Sequence, residues 1–262
     1  GSRALAVDAQ TEAVSSDDDT KVKVKLEYKP LAGILLFGGA IAAGSLPGEL
    51  DATPPACRWC DGPRPNVVDR WARNARWDKP CAAGRLSYWT LGVASAVALG
   101  PLSHQNNRHE WLVNAGSIID AAAATVIVTQ TTKYAFRRER PNSNPCHTAG
   151  EKDSDRNLSF FSGHTALAFA VVASGHETAR LRGQSRSGWL WAGGTAAALT
   201  GYFRVAGDRH HLTDVITGAG VGILIGTLVP RVLHQPKETP FDSTRATSRE
   251  MLTPGPPLIG IT

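Results

Sequence analysis

Apolar residues recur along most of this chain with the three- and four-residue spacing that places them on one side of a helix. One early segment differs, because Val22, Val24, Leu26 and Tyr28 alternate with charged residues, which predicts a strand or an extended arm. The predicted helices cover Leu31–Leu46, Val67–Trp77, Leu86–Leu99, Trp111–Phe136, Thr165–Leu181, Trp189–Tyr202 and Leu212–Leu233. Their alanine and glycine content favours close helix packing, so we predict an all-α fold: a single helical bundle domain with a short N-terminal extended arm.

Composition divides the chain into three parts. Residues 1–20 hold five acidic residues against one arginine and few large apolar side chains, which predicts a disordered leader. Residues 21–234 form the predicted helical domain, which includes a connector at 54–85 rich in Cys, Trp and Pro. Residues 235–262 are rich in proline and predict a loose C-terminal tail.

The net charge narrows the classes of partner. The chain carries +5 in total, and about +9 once the acidic leader is set aside. A basic domain suits an anionic substrate or an anionic membrane surface. Nucleic acid is not an expected partner, because no basic stripe is interleaved with aromatic residues.

Two uncharged segments, Pro30–Gly48 and Leu86–Asn107, are long enough to cross a membrane. Other predicted helices are interrupted by Asp120 or by His176 and Glu177, and two later apolar runs are only about 15 residues long, below the roughly 20 that spanning needs. We therefore favour a soluble or peripheral protein and keep an integral membrane protein as the alternative.

The four cysteines, Cys57, Cys60, Cys81 and Cys146, form an even set, three of them in the connector. Two disulfides, in one of three connectivities, would suit an exported protein in an oxidising space such as the bacterial periplasm. The alternatives are free thiols or zinc, since the Cys57-x-x-Cys60 pair has ligand spacing.

Three short segments carry the candidate chemistry, and the first runs from Lys133 to Pro141. Lys133 and Arg140 are seven residues apart, so a continuous helix would place both cations on one face, where they could hold one anion. Pro141 would then end that helix, because proline disfavours helical geometry in the residue before it.

The second and third segments add amides and histidines. Ser162, Gly163 and His164 precede an apolar run, which predicts a helix start whose free amides suit an anion. In the third segment, His210 and Asp214 are four residues apart, so the carboxylate could orient the imidazole ring if the segment is helical. A turn at Gly207-Asp208 would bring Arg204 round to join the other cations.

Together these segments resemble the signature of the type 2 phosphatidic acid phosphatase superfamily, which also contains bacterial acid phosphatases and vanadium haloperoxidases. The signature K-x6-RP, PSGH and SR-x5-H-x3-D maps onto residues 133–141, 161–164 and 203–214 of this chain. Phe161 and Phe203 depart from it, since they replace the usual proline and serine. Neither position has a chemical role in the family, so the departures concern the shape of the pocket.

The resemblance implies a helical fold and a metal-independent phosphatase without a cofactor. It implies that His210 attacks phosphorus, that Asp214 orients His210, and that His164 protonates the leaving alkoxide, after which water hydrolyses the phosphohistidine. The remaining site residues would hold the phosphate oxygens; they are Lys133, Arg140, Arg204, and the amides of Ser162 and Gly163. The expected substrate is a lipid phosphate or a small soluble phosphoester.

Other functions share these residues. A vanadium haloperoxidase would hold vanadate with the same set, a membrane enzyme of the family would cleave a prenyl or lipid pyrophosphate, and a third class would bind phosphate or lipid without catalysis. Retention of both histidines and Asp214 argues against the last class.

Several neighbouring residues have plainer expected roles. Arg137 and Arg138 are predicted to lie on a solvated helix face, and Asp208, Arg209 and His211 to be packing or rim residues. For the connector, the sequence leaves two alternatives: Trp59, Trp71 and Trp77 line a groove for an acyl or prenyl chain beside a disulfide from Cys146, or they pack in the core.

Overall fold

The computed structural model describes residues 26–28, 39, 55–60, 65–100, 108–142, 155–183 and 187–236. The described elements are β1 (Leu26–Tyr28), α1 (Val67–Ala72), a 3-10 turn (Arg73–Ala75), α2 (Pro80–Leu99), α3 (Arg108–Phe136), α4 (Gly163–Leu181), α5 (Ser187–Ala206), α6 (Leu212–Leu233) and β2 (His234–Pro236). The all-α prediction is confirmed for this part of the chain.

The predicted helices within the described residues are all present, and all but α6 have at least one shifted end. The helix predicted at Val67–Trp77 is shorter, because it tightens into a 3-10 turn after Ala72. Helix α2 begins earlier than predicted, at Pro80, where proline is tolerated in the first turn because its missing N–H has no intrahelical acceptor. The predicted Leu31–Leu46 helix lies outside the described residues, apart from Gly39.

The two short strands pair with each other. Strands β1 and β2 run antiparallel, with Glu27 opposite Gln235. The predicted extended arm is confirmed at Leu26–Tyr28, whereas residues 21–25 lie outside the described part. Gln235 and Pro236 belong to β2, so the predicted loose tail does not begin at residue 235.

Helix α4 lies at the centre of the bundle, where it packs on α2, α3, α5 and α6. Its contact with α6 is especially close because glycines face it. A Cβ at Gly222 would overlap the Ala166 carbonyl, and one at Gly226 would overlap that of Ala170. The small side chains of the sequence thus let the two backbones approach to direct contact.

Successive helices alternate in direction, so five helix ends meet at one end of the bundle. The first turns of α2, α4 and α6 and the last turns of α3 and α5 lie there.

Two of the charged side chains that interrupted the apolar pattern are buried: Asp120, and Glu177, which accepts hydrogen bonds from Arg180 and Arg231. Since α4 runs from Gly163 at the shared end to Leu181, Glu177 lies near the opposite end, roughly 20 Å away along the axis.

The outward sides of α2, α3, α5 and α6 are apolar and exposed. Trp89 and Trp191 are 75% and 76% exposed, and α6 presents a row of exposed aliphatic side chains. That row consists of Ile216, Ile223, Leu224, Leu228 and Val232. In the described residues, Glu110–Phe136 and Leu212–Leu233 are long and apolar enough to cross a membrane.

Candidate active site

A cavity of about 460 Å³ opens at the end of the bundle where the five helix ends meet. It is lined by Cys81, Gly84, Arg85, Tyr88, Lys133, Arg140, Asp155, His164, Arg204, Arg209 and His210. The structure therefore brings together the three predicted cations and both predicted histidines. Five cationic side chains face one carboxylate, so the cavity is strongly electropositive and suits an anion.

Lys133 and Arg140 reach the cavity by a different path from the one predicted. Helix α3 ends at Phe136, and Arg137 has a φ of 48°, so the chain turns out of the helix four residues before Pro141. The prediction of a continuous helix across this motif was wrong. Arg140 follows an extended segment that donates Glu139 N–H to the Trp59 carbonyl, and this segment returns its guanidinium to the cavity.

Arg204 is buried in the last turn of α5 with little to neutralise it. Among the described residues, its hydrogen-bonding contact is a 3.5 Å one from Nη1 to Ser87 Oγ, and its Nε has no partner. A buried cation without a partner is costly, because the charge has lost water and gained nothing in exchange. The Arg204 guanidinium can therefore gain an ion pair and hydrogen bonds when an anion enters the cavity.

The predicted turn after Arg204 is present. The Arg204 carbonyl accepts from the N–H groups of Arg209 and His210, and Asp208 has a φ of 55°. His210 lies in this loop, before α6 begins at Leu212. The turn explains how Arg204 and His210, at a spacing that does not suit one helix face, line the same cavity.

The tautomer of His210 follows from its hydrogen bond. Nδ1 lies 2.9 Å from the backbone carbonyl oxygen of Ser159, which can only accept, so Nδ1 carries the proton and donates it. Nε2 of the neutral ring then keeps its lone pair. Burial, together with the positive charges of Arg140, Arg204 and Lys133, holds the pKa of His210 well below its usual value, so the ring stays neutral.

Asp214 approaches His210 without a direct hydrogen bond. Its Oδ2 is 3.7 Å from His210 Nδ1, while the same oxygen accepts from Ser159 Oγ at 2.6 Å and from His211 N–H at 3.1 Å. The predicted direct orientation of the ring is therefore replaced by a path through Ser159. The bond from His211 N–H also caps α6, because Asp214 in the first turn accepts from the N–H of the residue just before the helix.

Of the predicted amide donors, Ser162 is not available. Its N–H donates to the Asp214 carbonyl at 3.1 Å, and its hydroxyl contacts Thr165 Oγ1, so the prediction that its amide holds phosphate was wrong. The first intrahelical bond of α4 runs from Ala166 to Ser162, which leaves the amides of Gly163, His164 and Thr165 without intrahelical acceptors.

His164 stands in the first turn of α4, with its ring packed edge-on against Tyr88. It lines both the main cavity and a smaller one of about 200 Å³. The smaller cavity also contacts Lys133 and Gly163 and is otherwise lined mostly by α2, α3 and α4 side chains such as Leu91, Val126 and Leu167.

Arg140 is held by internal contacts around the mouth of the cavity. Its Nε donates to the Asp155 carbonyl, Nη1 to the Arg209 carbonyl, and Nη2 lies 3.2 Å from the Asp155 carboxylate. Asp155 is 59% exposed, so this ion pair is weak and an anionic ligand can replace the carboxylate.

Sequence analysis indicated no role in the site for Arg85 or Tyr88, and predicted Arg209 to be a packing or rim residue. All three line the cavity. Arg85 and Tyr88 are three residues apart at the start of α2, a spacing that places both on one face of the helix. Nothing in the sequence, however, linked α2 to the three motifs.

The prediction that Arg138 lies on a solvated face was wrong. Its side chain is fully buried and bridges two buried carboxylates, Asp69 at 2.8 Å and Asp214 at 2.6 Å. Asp208 and His211 are buried as expected of packing residues.

In the connector, Cys57 and Cys60 are joined to each other by a disulfide, which leaves no thiolate pair there for zinc. Cys81 is also disulfide-bonded, and Cys146 lies outside the described residues. The tryptophans do not line the cavity: Trp59 covers Arg138, while Trp71 is exposed and Trp77 packs on Phe203. Of the two alternatives, the groove at the site is therefore not observed, and the exposed Trp71 does not pack in the core either.

Comparison with known proteins places these features in a family. Residues 114–238, a little under half of the chain, match the model of the PAP2 superfamily. Over this region the chain is similar to the PAP2 superfamily. The predicted resemblance is thereby confirmed, and all three motifs lie within the matched residues.

Two curated relatives and one solved structure are similar to this chain. The lipid A 1-phosphatase of Porphyromonas gingivalis is 41% identical over 97 residues, which are 37% of this chain and 18% of that protein. Phospholipid phosphatase 2 of Bos taurus is 26% identical over 147 residues, 45% of this chain and 50% of that one. The chain thus spans half or less of the length of these relatives. A transmembrane PAP2 type phosphatidylglycerolphosphate phosphatase from Bacillus subtilis aligns with a TM-score of 0.46 and 16% identity, over 77% of this chain and 95% of that chain.

Proposed function

We propose that this PAP2 protein is a phosphatase that hydrolyses the phosphomonoester of a lipid phosphate through a phosphohistidine intermediate. The observation that carries the proposal is the cavity itself, in which His210, with Nε2 unprotonated, lies among cations that include a buried Arg204 with no anionic partner in the described part of the chain. This arrangement suits attack on a phosphorus atom whose oxygens carry negative charge.

In the proposed reaction, Nε2 of His210 forms a bond to phosphorus while the bond to the leaving alkoxide oxygen breaks. His164 gives its proton to that oxygen, because the phosphate dianion beside it stabilises the protonated ring until the transfer. A water molecule then attacks phosphorus, His164 takes its proton, and the bond to His210 breaks to release inorganic phosphate. Lys133, Arg140 and Arg204 hold the three non-bridging oxygens throughout.

Lipid substrates are favoured by the surroundings of the site. The smaller cavity meets the phosphate cavity at Lys133 and His164, and the aliphatic side chains of Leu91, Val126 and Leu167 in its lining can contact a hydrocarbon chain. The two curated relatives are named as phosphatases of lipid A and of phospholipids. A lipid phosphate would place its headgroup among the cations.

The exposed apolar sides of the bundle support a membrane location for this function. A water-soluble protein rarely exposes so much contiguous apolar surface, and α2, α3, α5 and α6 each have about 20 residues or more, the length needed to span. Asp120 and Glu177, which argued against spanning, are buried within the bundle. We therefore propose a membrane-embedded protein whose phosphate cavity lies at one membrane surface, and the disulfides favour the oxidising side.

Phosphate release tests the proposal. The purified protein in detergent, with a metal chelator present, is assayed on phosphatidate, phosphatidylglycerophosphate, a prenyl diphosphate and p-nitrophenyl phosphate. We expect turnover in chelator, faster on a lipid monophosphate than on p-nitrophenyl phosphate, and inhibition by orthovanadate. No phosphate release from any of these, or vanadate-dependent bromide oxidation in its place, would overturn it.

A further inference from the structure

Arg138 belongs to a buried charged network that the proposed reaction does not yet use. Its Nη2 donates to Asp69 and its Nη1 to both Asp214 and Thr213 Oγ1, at 2.6–2.8 Å. The side chains of Arg138, Asp69 and Asp214 are all fully buried. Burying a cation between two carboxylates carries a desolvation penalty that apolar side chains packed in the same place would avoid. We therefore expect this network to serve the function of the site.

The network ends at the backbone group that fixes His210. Ser159 N–H donates to the Arg138 carbonyl at 3.0 Å, and Ser159 Oγ donates to Asp214 Oδ2 at 2.6 Å. The carbonyl of the same residue accepts from His210 Nδ1. Arg138 therefore holds Ser159 directly through its backbone and indirectly through Asp214.

Asp69 ties the other side of the network to the start of α6. Its carboxylate accepts from Thr213 N–H at 2.9 Å and from Thr213 Oγ1 at 2.8 Å, next to Asp214 in sequence. Burial alone raises the pKa of Asp69, but the hydrogen bonds from Thr213, Arg138 and Asn66 outweigh it, so the pKa lies below its usual value and the group stays charged.

The connector closes this network on its outer side. The Trp59 ring lies 4.2 Å from the guanidinium carbon of Arg138, and Trp59 also packs on Phe160. The N–H groups of Arg58 and Trp59 point to the Arg137 carbonyl. The segment bearing the Cys57–Cys60 disulfide thus covers Arg138 and excludes water from it.

From these contacts we infer that Arg138 and Asp69 are positioning residues for His210: they fix Asp214 and Ser159 so that the Ser159 carbonyl keeps the proton on Nδ1 and Nε2 faces the phosphate. The inference rests on the proposed phosphatase function. Neither side chain lines the cavity, so their loss should change the chemical step and leave phosphate binding to Lys133, Arg140 and Arg204.

The test compares Arg138→Gln, Arg138→Lys and Asp69→Asn with the matched control Arg137→Gln in the full chain. Arg137 is the neighbouring arginine, whose side chain donates to the Tyr134 carbonyl and lies outside the site. We measure kcat and KM on the best lipid phosphate, together with the orthovanadate concentration that half-maximally protects against thermal unfolding, which reports binding without turnover.

We expect Arg138→Gln to lower kcat on the order of 100-fold, the loss typical of a small misplacement of a reacting group, with KM and vanadate protection within about threefold. Arg138→Lys should recover part of kcat, because one ammonium can pair with one of the two carboxylates, and Asp69→Asn should show a smaller loss of the same kind. Arg137→Gln should match the wild type.

Two results would overturn the inference while leaving the phosphatase proposal intact: unchanged kcat in Arg138→Gln, or equal losses of kcat and vanadate protection in all three variants, which would mean only a structural role. If Arg138→Gln fails to fold, the milder Asp69→Asn and Arg138→Lys variants decide by the same criteria. A wild-type protein that releases no phosphate would instead refute the function proposed above.

Discussion

Replacing Arg204 with methionine should make the protein more stable and much less active. Arg204 is 5% exposed and, among the described residues, has no carboxylate partner within ion-pair distance. Exchanging a buried charge for an apolar side chain of similar length typically stabilises by about 1–3 kcal/mol. For a protein of this size that is a rise in Tm of roughly 2–12 °C.

The same change should slow the reaction. Arg204 can donate two charge-assisted hydrogen bonds to the transferring phosphoryl group, each worth about 1.5–3 kcal/mol. Their loss lowers kcat/KM by roughly 10²- to 10⁴-fold, at one factor of ten for each 1.4 kcal/mol. Orthovanadate should raise the Tm of the wild type and have little effect on the variant.

The assay is thermal unfolding with and without orthovanadate, alongside phosphate release in the same detergent. Arg231→Met is the matched control, because Arg231 is half-exposed, pairs with Glu177 at 2.7 Å and lies at the other end of the bundle. It should leave kcat/KM unchanged and give no rise in Tm. An Arg204→Met protein that is less stable than the wild type and still fully active would refute the idea that Arg204 is kept uncompensated for an anion.

The pKa of His210 is held well below its usual value near 6.5, so kcat/KM corrected for substrate ionisation should keep its plateau below pH 6.5. Below that pH the unfolded chain takes up a proton at His210 while the folded chain does not. The contribution of His210 to stability is therefore complete above pH 6.5 and is lost as the pH falls. An acid limb centred at pH 6.5 or higher would contradict this. Gly222→Ala should lower the free energy of unfolding by about 1–3 kcal/mol, because the added Cβ meets the Ala166 carbonyl. Gly220→Ala is the control: an added Cβ there has nothing within 4 Å, so the variant should be neutral or gain up to about 1 kcal/mol from helix propensity. Equal Tm values for the two variants would count against the close contact between α4 and α6.

The sequence was most informative where function depends on local spacing. The turn at Gly207-Asp208 was predicted from two residues, and it does bring Arg204 and His210 to one cavity. Apolar periodicity located every described helix of the bundle, and α6 has the predicted ends, Leu212 and Leu233.

The sequence was least informative where the partner is distant in the chain. Arg138 looks like a surface arginine because its partner Asp69 is 69 residues away and belongs to a six-residue helix. The extended path of residues 137–140 after α3 likewise involves the Trp59 segment, which pairs with the chain at Arg138. The use of the Ser162 amide by Asp214 could not be predicted either, since it arises only when α4 and α6 pack together.

The most direct test of the central claim is to identify the phosphorylated residue. The protein is mixed with a ³²P-labelled lipid phosphate in chelator, quenched in alkali to preserve phosphohistidine, and digested for peptide mapping. We expect label on the peptide that contains His210 and none in a folded His210→Gln variant, which should also release no phosphate. Label on another residue, or phosphate release by His210→Gln at a substantial fraction of the wild-type rate, would contradict it.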